Sequence, residues 1–218
     1  TVQRALLELC FAARPAERRP GRPRQIELES RVLQAVIELI DEGAPITVSA
    51  VVQRSGVSRA ALYRRWATMA QLTAAALDVG RAVIRPPEGL PLREAFGHGF
   101  PKPGEALGED YPERRLRQRL LLALADAELQ SEYWRWHVSR RRAPLLELLE
   151  RGRERGEIRA DVDLDAALDL LSGVFYYQIV VRGESLGDGA TLGRCHAAMD
   201  IIWSGIAAPR AEKPRAED

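Results

Sequence analysis

Arg59, Tyr63, Arg64 and Arg65 crowd into one short segment of the stretch 47–72, TVSAVVQRSGVSRAALYRRWATMAQL. Guanidinium and phenol groups packed this closely are the donors that bind phosphate oxygens and base edges. They occupy the outside of a helix whose apolar neighbours Val48, Val51, Val52, Val57, Ala61 and Leu62 can all face one small core. Thr47 is placed to N-cap a first helix, because its hydroxyl can accept an orphan backbone N–H. Gly56, within Ser55-Gly56-Val57, supplies the left-handed turn that ends that helix, and Ser58 caps the next. Two short helices, a tight turn and a basic outer face describe a helix-turn-helix, whose second helix enters the major groove of DNA.

The charge pattern agrees. From Gly43 to Leu77 there is no Asp or Glu, while Arg54, Arg59, Arg64 and Arg65 all fall inside. A surface that approaches phosphates has to avoid carboxylates, which would repel them. The formal net charge of the whole chain is only +1, so the positive field is local. Upstream, Arg18-Arg19-Pro20-Gly21-Arg22-Pro23-Arg24 cannot build a core and reads as a mobile, extended arm. Arg22 and Arg24 are expected to follow the minor groove, where Arg responds to narrow A·T-rich geometry.

Residues 18–80 resemble the DNA-binding domain of the tetracycline-repressor (TetR) family of bacterial one-component regulators. The likeness runs through Gly21-Arg22-Pro23-Arg24, a first amphipathic helix and Thr47. It continues through Ser55-Gly56-Val57-Ser58 to Leu62-Tyr63-Arg64-Arg65-Trp66 and Leu72. The resemblance implies that Trp66 packs the domain and that Tyr63 contacts phosphate. Two departures stand out. The family often has Phe where Trp66 stands, and often a phosphate-binding Lys where Met69 stands. Met69 cannot make that contact, so it is lost or passes to Thr68 and the backbone N–H groups beside it. The segment from about Arg140 to Ser185 resembles the regulatory domains of the same family, and residues 86–130 do so only weakly.

The chain has 218 residues, 46% of them hydrophobic, enough for one small and one medium domain. No apolar run approaches the ~18 residues of a membrane span. Cys10 and Cys195 are unpatterned, and His98, His137 and His196 have no metal-ligand spacing with Cys or carboxylates, so neither a disulfide framework nor a metal is expected. No Gly-rich phosphate loop follows a strand. An enzyme and a cofactor are therefore not expected, and a cytoplasmic, nucleoid-associated location is. Of the 32 basic residues only Lys102 and Lys213 are Lys, a coding bias that strips the raw Arg count of meaning. Residues 1–13 are apolar but interrupted by Glu8 and preceded only by Arg4, a poor secretory signal. They read as an extra amphipathic helix or as a segment foreign to the native start.

The pattern elsewhere predicts an all-α chain: an N-terminal helix-turn-helix three-helix domain plus a C-terminal helical bundle for ligand binding and dimerisation. Helices are expected from about Ile26 to Glu42, from Thr68 to about Ile84, from Glu113 to Asp126 with a stripe of Leu116, Leu120, Leu121 and Leu124, and from Ser131 to about Arg155. Leu164–Arg182 and Ala190–Ala207 are the last two. Residues 86–112 are dense in Pro and Gly, leaving a turn or two of helix over Leu92–Phe96. The domains are drawn as a flexible extension and arm over 1–24, the DNA-binding domain over 25–72, the regulatory domain over 73–208 and a disordered tail over 209–218.

Leu164, Leu168, Leu171 and Phe175, with Ala198, Ile201, Ile202 and Gly205, fall at helical spacing on the last two helices. They are expected to form an isologous four-helix interface, so that a homodimer presents two recognition helices to a palindromic operator. The other reading of the same helices is that they complete one subunit's core. Trp134 and His137 in the long helix, Phe175, Tyr176 and Gln178 in a later one, and Leu121 are candidates to line a cavity for a small-molecule effector. Aromatic residues at helical spacing also suit a plain core. The expected function is a repressor released by that effector. Arg22 and Arg24 would take the minor groove; Thr47, Ser58, Tyr63, Arg65 and Thr68 the phosphates and caps; Arg59, Ala60 and Arg64 the base edges. The alternative is a helical ligand-binding or protein-interaction module without specific DNA binding.

Overall fold

The computed structural model describes residues 22–81, 85–86, 89–98 and 112–209. Among them the regular structure is helical, with one isolated antiparallel bridge between Ile158 and Ala207. The helices are α1 (Arg22–Glu42), α2 (Val48–Ser55), α3 (Arg59–Tyr63), α4 (Met69–Asp78), α5 (Leu92–Gly97), α6 (Glu113–Ala125), α7 (Ala127–Tyr133), α8 (Ser139–Glu154), α9 (Leu164–Tyr176) and α10 (Gly189–Ile206). Single π-helical segments, Trp134–Val138 and Tyr177–Val181, follow α7 and α9.

The described residues form two compact units, one of residues 22–81 and 112–140, the other of 85–86, 89–98 and 141–209. In the first, α1 contributes Val32, Leu33, Val36, Ile37, Leu39 and Ile40 to a core that Val51, Val57, Leu62, Trp66 and Leu72 complete from α2 to α4. Full burial of a Leu or Val contributes about 1.5–3 kcal/mol, so this small head is held chiefly by that stripe. Leu129 and Tyr133 of α7 belong to the same core. The packing therefore runs past the boundary drawn at 72/73 from the sequence.

The second unit is built on α8, α9 and α10. Leu149, Ile158, Leu171, Leu192 and Met199 are fully buried in it. Gly152 is needed where α5 seats, because a Cβ there would lie 2.3 Å from Leu92 Cδ2. On the same side Phe96 meets Trp203 with ring centroids 5.7 Å apart, and Arg93 pairs with Asp200.

Several boundaries differ from the sequence reading. Helix α1 begins at Arg22, not Ile26, which puts Arg22 and Arg24 in its first turn rather than in an extended arm. Pro23 is tolerated there because the first turn needs no N–H from it. Arg18 to Gly21, residues 1–17 and residues 210–218 lie outside the described residues. Helix α4 ends at Asp78, not near Ile84, because its C-cap Val79 turns extended at φ −61°, ψ 132°, and Gly80 follows at φ 82° as the left-handed residue of the turn. The long helix starts at Ala127 because Asp126 accepts the Leu129 N–H as its N-cap, and the π turn at Trp134–Val138 interrupts its register. In α6 the expected leucine stripe is not the packed face: Leu121 and Leu124 are 62% and 71% exposed, while Arg119 is buried.

Leu164–Val181 is long and apolar enough to cross a membrane by length and composition. Asp165 and Asp169 interrupt it, and Leu164, Leu168, Leu171, Phe175 and Ile179 on its other face are core of the second unit. The expectation that no stretch reaches that length is thereby corrected, because the carboxylates fall within the span without lowering its mean hydropathy enough.

Candidate nucleic-acid interface

Three hydroxyls fix the geometry of the head. Thr47 Oγ1 accepts the Ala50 N–H at 3.2 Å, Ser58 Oγ the Ala61 N–H at 3.3 Å and Thr68 Oγ1 the Gln71 N–H at 3.2 Å. A hydroxyl that accepts one N–H keeps its own O–H, so each cap retains a donor for a phosphate oxygen. Gly56 closes α2 at φ 66°, its N–H reaching the Val52 carbonyl at 3.0 Å. A Cβ on Gly56 would meet Arg31 Nη2 at 2.9 Å, and that same guanidinium donates to the Ser55 carbonyl.

With the caps set, α3 turns Leu62 inward at full burial and leaves Arg59, Ala60 and Arg64 exposed and Tyr63 44% exposed. Trp66 is buried beneath them. Met69 is half-buried against the same core, an apolar contact that accounts for its presence where a cation was expected.

The four arginines of the carboxylate-free segment 43–77 are not equivalent. Arg54 Nη1 lies 2.7 Å from Glu42 Oε1 in a pair open to solvent on both sides. Arg65 Nη2 lies 2.5 Å from Oε2 of Glu29, whose side chain is only 11% exposed. Among the described residues, Arg59 and Arg64 have no carboxylate within ion-pair distance. The sequence reading missed Glu29. The signal was available, since Glu29, Val32, Val36 and Leu39 follow one face of α1, and a carboxylate on an apolar stripe requires a partner.

The residues expected to line an effector cavity divide between the units. Leu121 and Trp134 are exposed in the first, at 62% and 50%. His137 is partly buried there, its Nδ1 2.8 Å from Asp78 Oδ2 and its ring stacked on Tyr133. Burial, reinforced by the Arg140 charge and opposed by Glu132, lowers its pKa from 6.5 to about 4. Around it, Arg81 and Arg119 each donate to the Tyr133 hydroxyl, at 3.0 and 2.9 Å. In the second unit Phe175 is core, Tyr176 is exposed, and buried Gln178 accepts from Arg194 Nε at 3.3 Å.

The dimer residues need a correction. Leu164, Leu168, Leu171 and Phe175 are 7%, 2%, 1% and 8% exposed, so they fill the core of their own unit. The free face of α9 carries Leu170 and Tyr177, continued by Val181, with Val174, which the same spacing also picks out, half-buried among them. These residues stand one position off the expected set, because the periodicity gave the stripe without saying which side met α10. On α10, Ile201 and Gly205 are exposed and Ala198 and Ile202 half-buried. No group of three or more His, Cys, Asp and Glu able to hold a metal occurs among the described residues.

Comparison with known proteins gives the same picture from another side. Residues 105–193 match the family described as tetracyclin repressor-like, C-terminal domain, and residues 21–69 match the helix-turn-helix domain of resolvase. The HTH-type transcriptional regulator Rv1556 of Mycobacterium tuberculosis is 30% identical over 181 residues, 78% of this chain and 83% of that protein. YdeS of Bacillus subtilis, another HTH-type transcriptional regulator, is 25% identical over 77% of this chain and 86% of its own length. The crystal structure of the TetR family transcription regulator SCO0332 superposes with a TM-score of 0.55 at 28% identity, covering 82% of this chain and 98% of that one. A regulator of this kind binds DNA through its helix-turn-helix and is not an enzyme. The chain belongs to the tetracycline-repressor (TetR) family of helix-turn-helix transcriptional regulators.

Proposed function

We propose that this regulator is a cytoplasmic homodimeric repressor that reads a palindromic operator and is released by a small-molecule effector. The observation that carries the DNA contact is the pair of exposed cations Arg59 and Arg64, without an anionic partner among the described residues, on a carboxylate-free α3 flanked by the caps Thr47 and Ser58. Ala60 leaves room between the two for close approach to base edges, and Tyr63 and Thr68 lie where a phosphate oxygen can be met. Arg22 and Arg24, in the first turn of α1, add charge for the adjacent backbone or minor groove.

Dimerisation is supported by apolar surface that one subunit does not cover. Leu170, Tyr177 and Val181 are 62%, 53% and 64% exposed, and Ile201 is 74% exposed. Two such helices from each subunit give a four-helix isologous interface.

Release requires that effector binding favour a head arrangement that no longer fits successive major grooves, roughly 34–36 Å apart. With α4 ending at Asp78, one long rigid helix cannot transmit this. Coupling instead uses the packing of α4 on α7 and the His137–Asp78 contact.

The test is selection of random duplex DNA by the purified protein at two salt concentrations. Enrichment of a palindrome supports the dimeric reader and yields the operator. Weak, salt-sensitive binding without an enriched motif leaves the interaction-module reading in its place.

A further inference from the structure

Four arginines mark the head as basic, yet their surroundings sort them into three kinds. Arg59 and Arg64 have no anionic partner among the described residues. Arg54 shares an exposed pair with Glu42, whose side chain is 54% exposed, so water can replace Arg54 when a phosphate arrives. Arg65 differs from both. Its partner Glu29 is a carboxylate on the inner face of α1, 8% exposed as a residue, between Leu28 and the fully buried Val32.

We propose that Glu29 is a positioning residue that withholds Arg65 from DNA and uses it to pin the end of the recognition helix to α1. The inference rests on the helix-turn-helix binding DNA and goes further in saying which cations do so. Moving Arg65 to a phosphate would leave the Glu29 carboxylate buried without a counter-charge among the described residues. Arg65 is itself 36% exposed, so the cost of breaking the pair falls on the Glu29 carboxylate, 11% exposed, and it exceeds what a solvent-exposed contact returns. The pair is also neutral, so it releases no counterions from DNA. What it supplies is geometry. Arg65 directly follows Arg64, the C-cap residue of α3, and its tie to α1 fixes the angle at which Arg59 and Arg64 are presented.

Salt dependence separates this role from an ordinary phosphate contact. Each phosphate neutralised contributes about 0.9 to the slope of log Kobs against log salt. The probe is a mixed-sequence DNA duplex, so no operator need be known. On this probe, which carries no operator for base readout, Arg59 and Arg64 rest on phosphates, so Arg59→Gln and Arg64→Gln should each lower the slope by about 0.9 per copy of the chain. Arg65→Gln should leave the slope at the wild-type value. Glu29→Gln frees Arg65 and should steepen the slope by about the same 0.9, and the double variant Glu29→Gln/Arg65→Gln should return it to wild type.

A purely structural role for Glu29 would weaken binding without steepening the slope, so that result overturns the proposal. A fall in slope for Arg65→Gln overturns it as well, by making Arg65 a phosphate contact. Should Arg65→Gln fail to fold, the Glu29→Gln slope and its reversal in the double variant decide alone. A wild-type protein that does not bind the duplex at all would refute DNA binding itself, a failure distinct from either.

Discussion

His137 Nδ1 stands 2.8 Å from Asp78 Oδ2, joining the π turn after α7 to the last residue of the helix that follows the recognition helix. The ring also stacks on Tyr133, with centroids 5.7 Å apart. Neutral imidazole suffices for this contact, because an Nδ1–H donates to the carboxylate without carrying charge.

Acid should therefore loosen the first unit. Burial and the Arg140 charge hold the folded pKa at about 4, below the 6.5 of the unfolded chain. Between those values the unfolded chain takes up the proton and the folded one does not, so stability falls as pH falls from about 6.5 to 4. The full effect is on the order of 3 kcal/mol. Thermal unfolding of wild type and His137→Asn across that range should show the variant losing less. Parallel curves would mean that His137 protonates freely in the fold.

Gly56→Ala should destabilise the head by roughly 1–2 kcal/mol, the cost of a left-handed backbone for a residue with a Cβ. The Cβ also displaces the Arg31 guanidinium from the Ser55 carbonyl, since it would stand 2.9 Å from Nη2. Because Arg31 is flexible, that second loss is small, and Arg31→Ala combined with Gly56→Ala should cost less than the sum. Additive losses in chemical denaturation would mean that the two residues do not meet.

Much of this head was legible in the sequence, for a physical reason. Thr47, Gly56, Ser58 and Thr68 act on backbone groups within a few residues of themselves, so local spacing is enough to place them. The Glu29–Arg65, Asp41–Arg115 and Tyr133–Arg119 contacts depend on which helix faces arrive side by side, and spacing within one helix is silent on that. The same limit explains the α9 error. Leu164, Leu168, Leu171 and Phe175 and the neighbouring Leu170 and Val174 give one continuous apolar band, and only the position of α10 decides which part is covered. It also explains the scattered effector set. Leu121 and His137 were grouped with Phe175 and Gln178 by residue type, whereas folding assigns them to different compact units.

That band gives a prediction with two opposite arms. Leu170→Glu or Ile201→Glu should leave the chain folded and convert the proposed dimer to monomers, since both side chains lie in the open, at 62% and 74% exposure. Sedimentation velocity reads the change directly. Leu168→Ala, two residues away on the inner face and 2% exposed, should instead lower stability by about 2–5 kcal/mol through the cavity it leaves. If the exposed-face variants stay dimeric, the interface lies elsewhere on the molecule.

Base readout and backbone attraction should separate within the DNA-binding surface itself. Arg59→Ala and Arg64→Ala remove groups that project from α3 with no anionic partner among the described residues, so the lost energy is whatever the base edge supplied. A bidentate contact of that kind discriminates against a wrong base by about 1–3 kcal/mol, and its loss should relax preference at particular positions of the selected operator. Arg22→Ala, at the start of α1, should weaken every sequence alike and lower the salt slope by about one per copy. Binding to a panel of single-base operator variants at two salt concentrations distinguishes the two classes. Uniform weakening by Arg59→Ala or Arg64→Ala would demote those residues to phosphate contacts, and an unchanged slope for Arg22→Ala would remove the start of α1 from the interface. The division has a structural basis, because a capped helix holds its outward side chains within reach of one base step, whereas the first turn of α1 has only charge to offer.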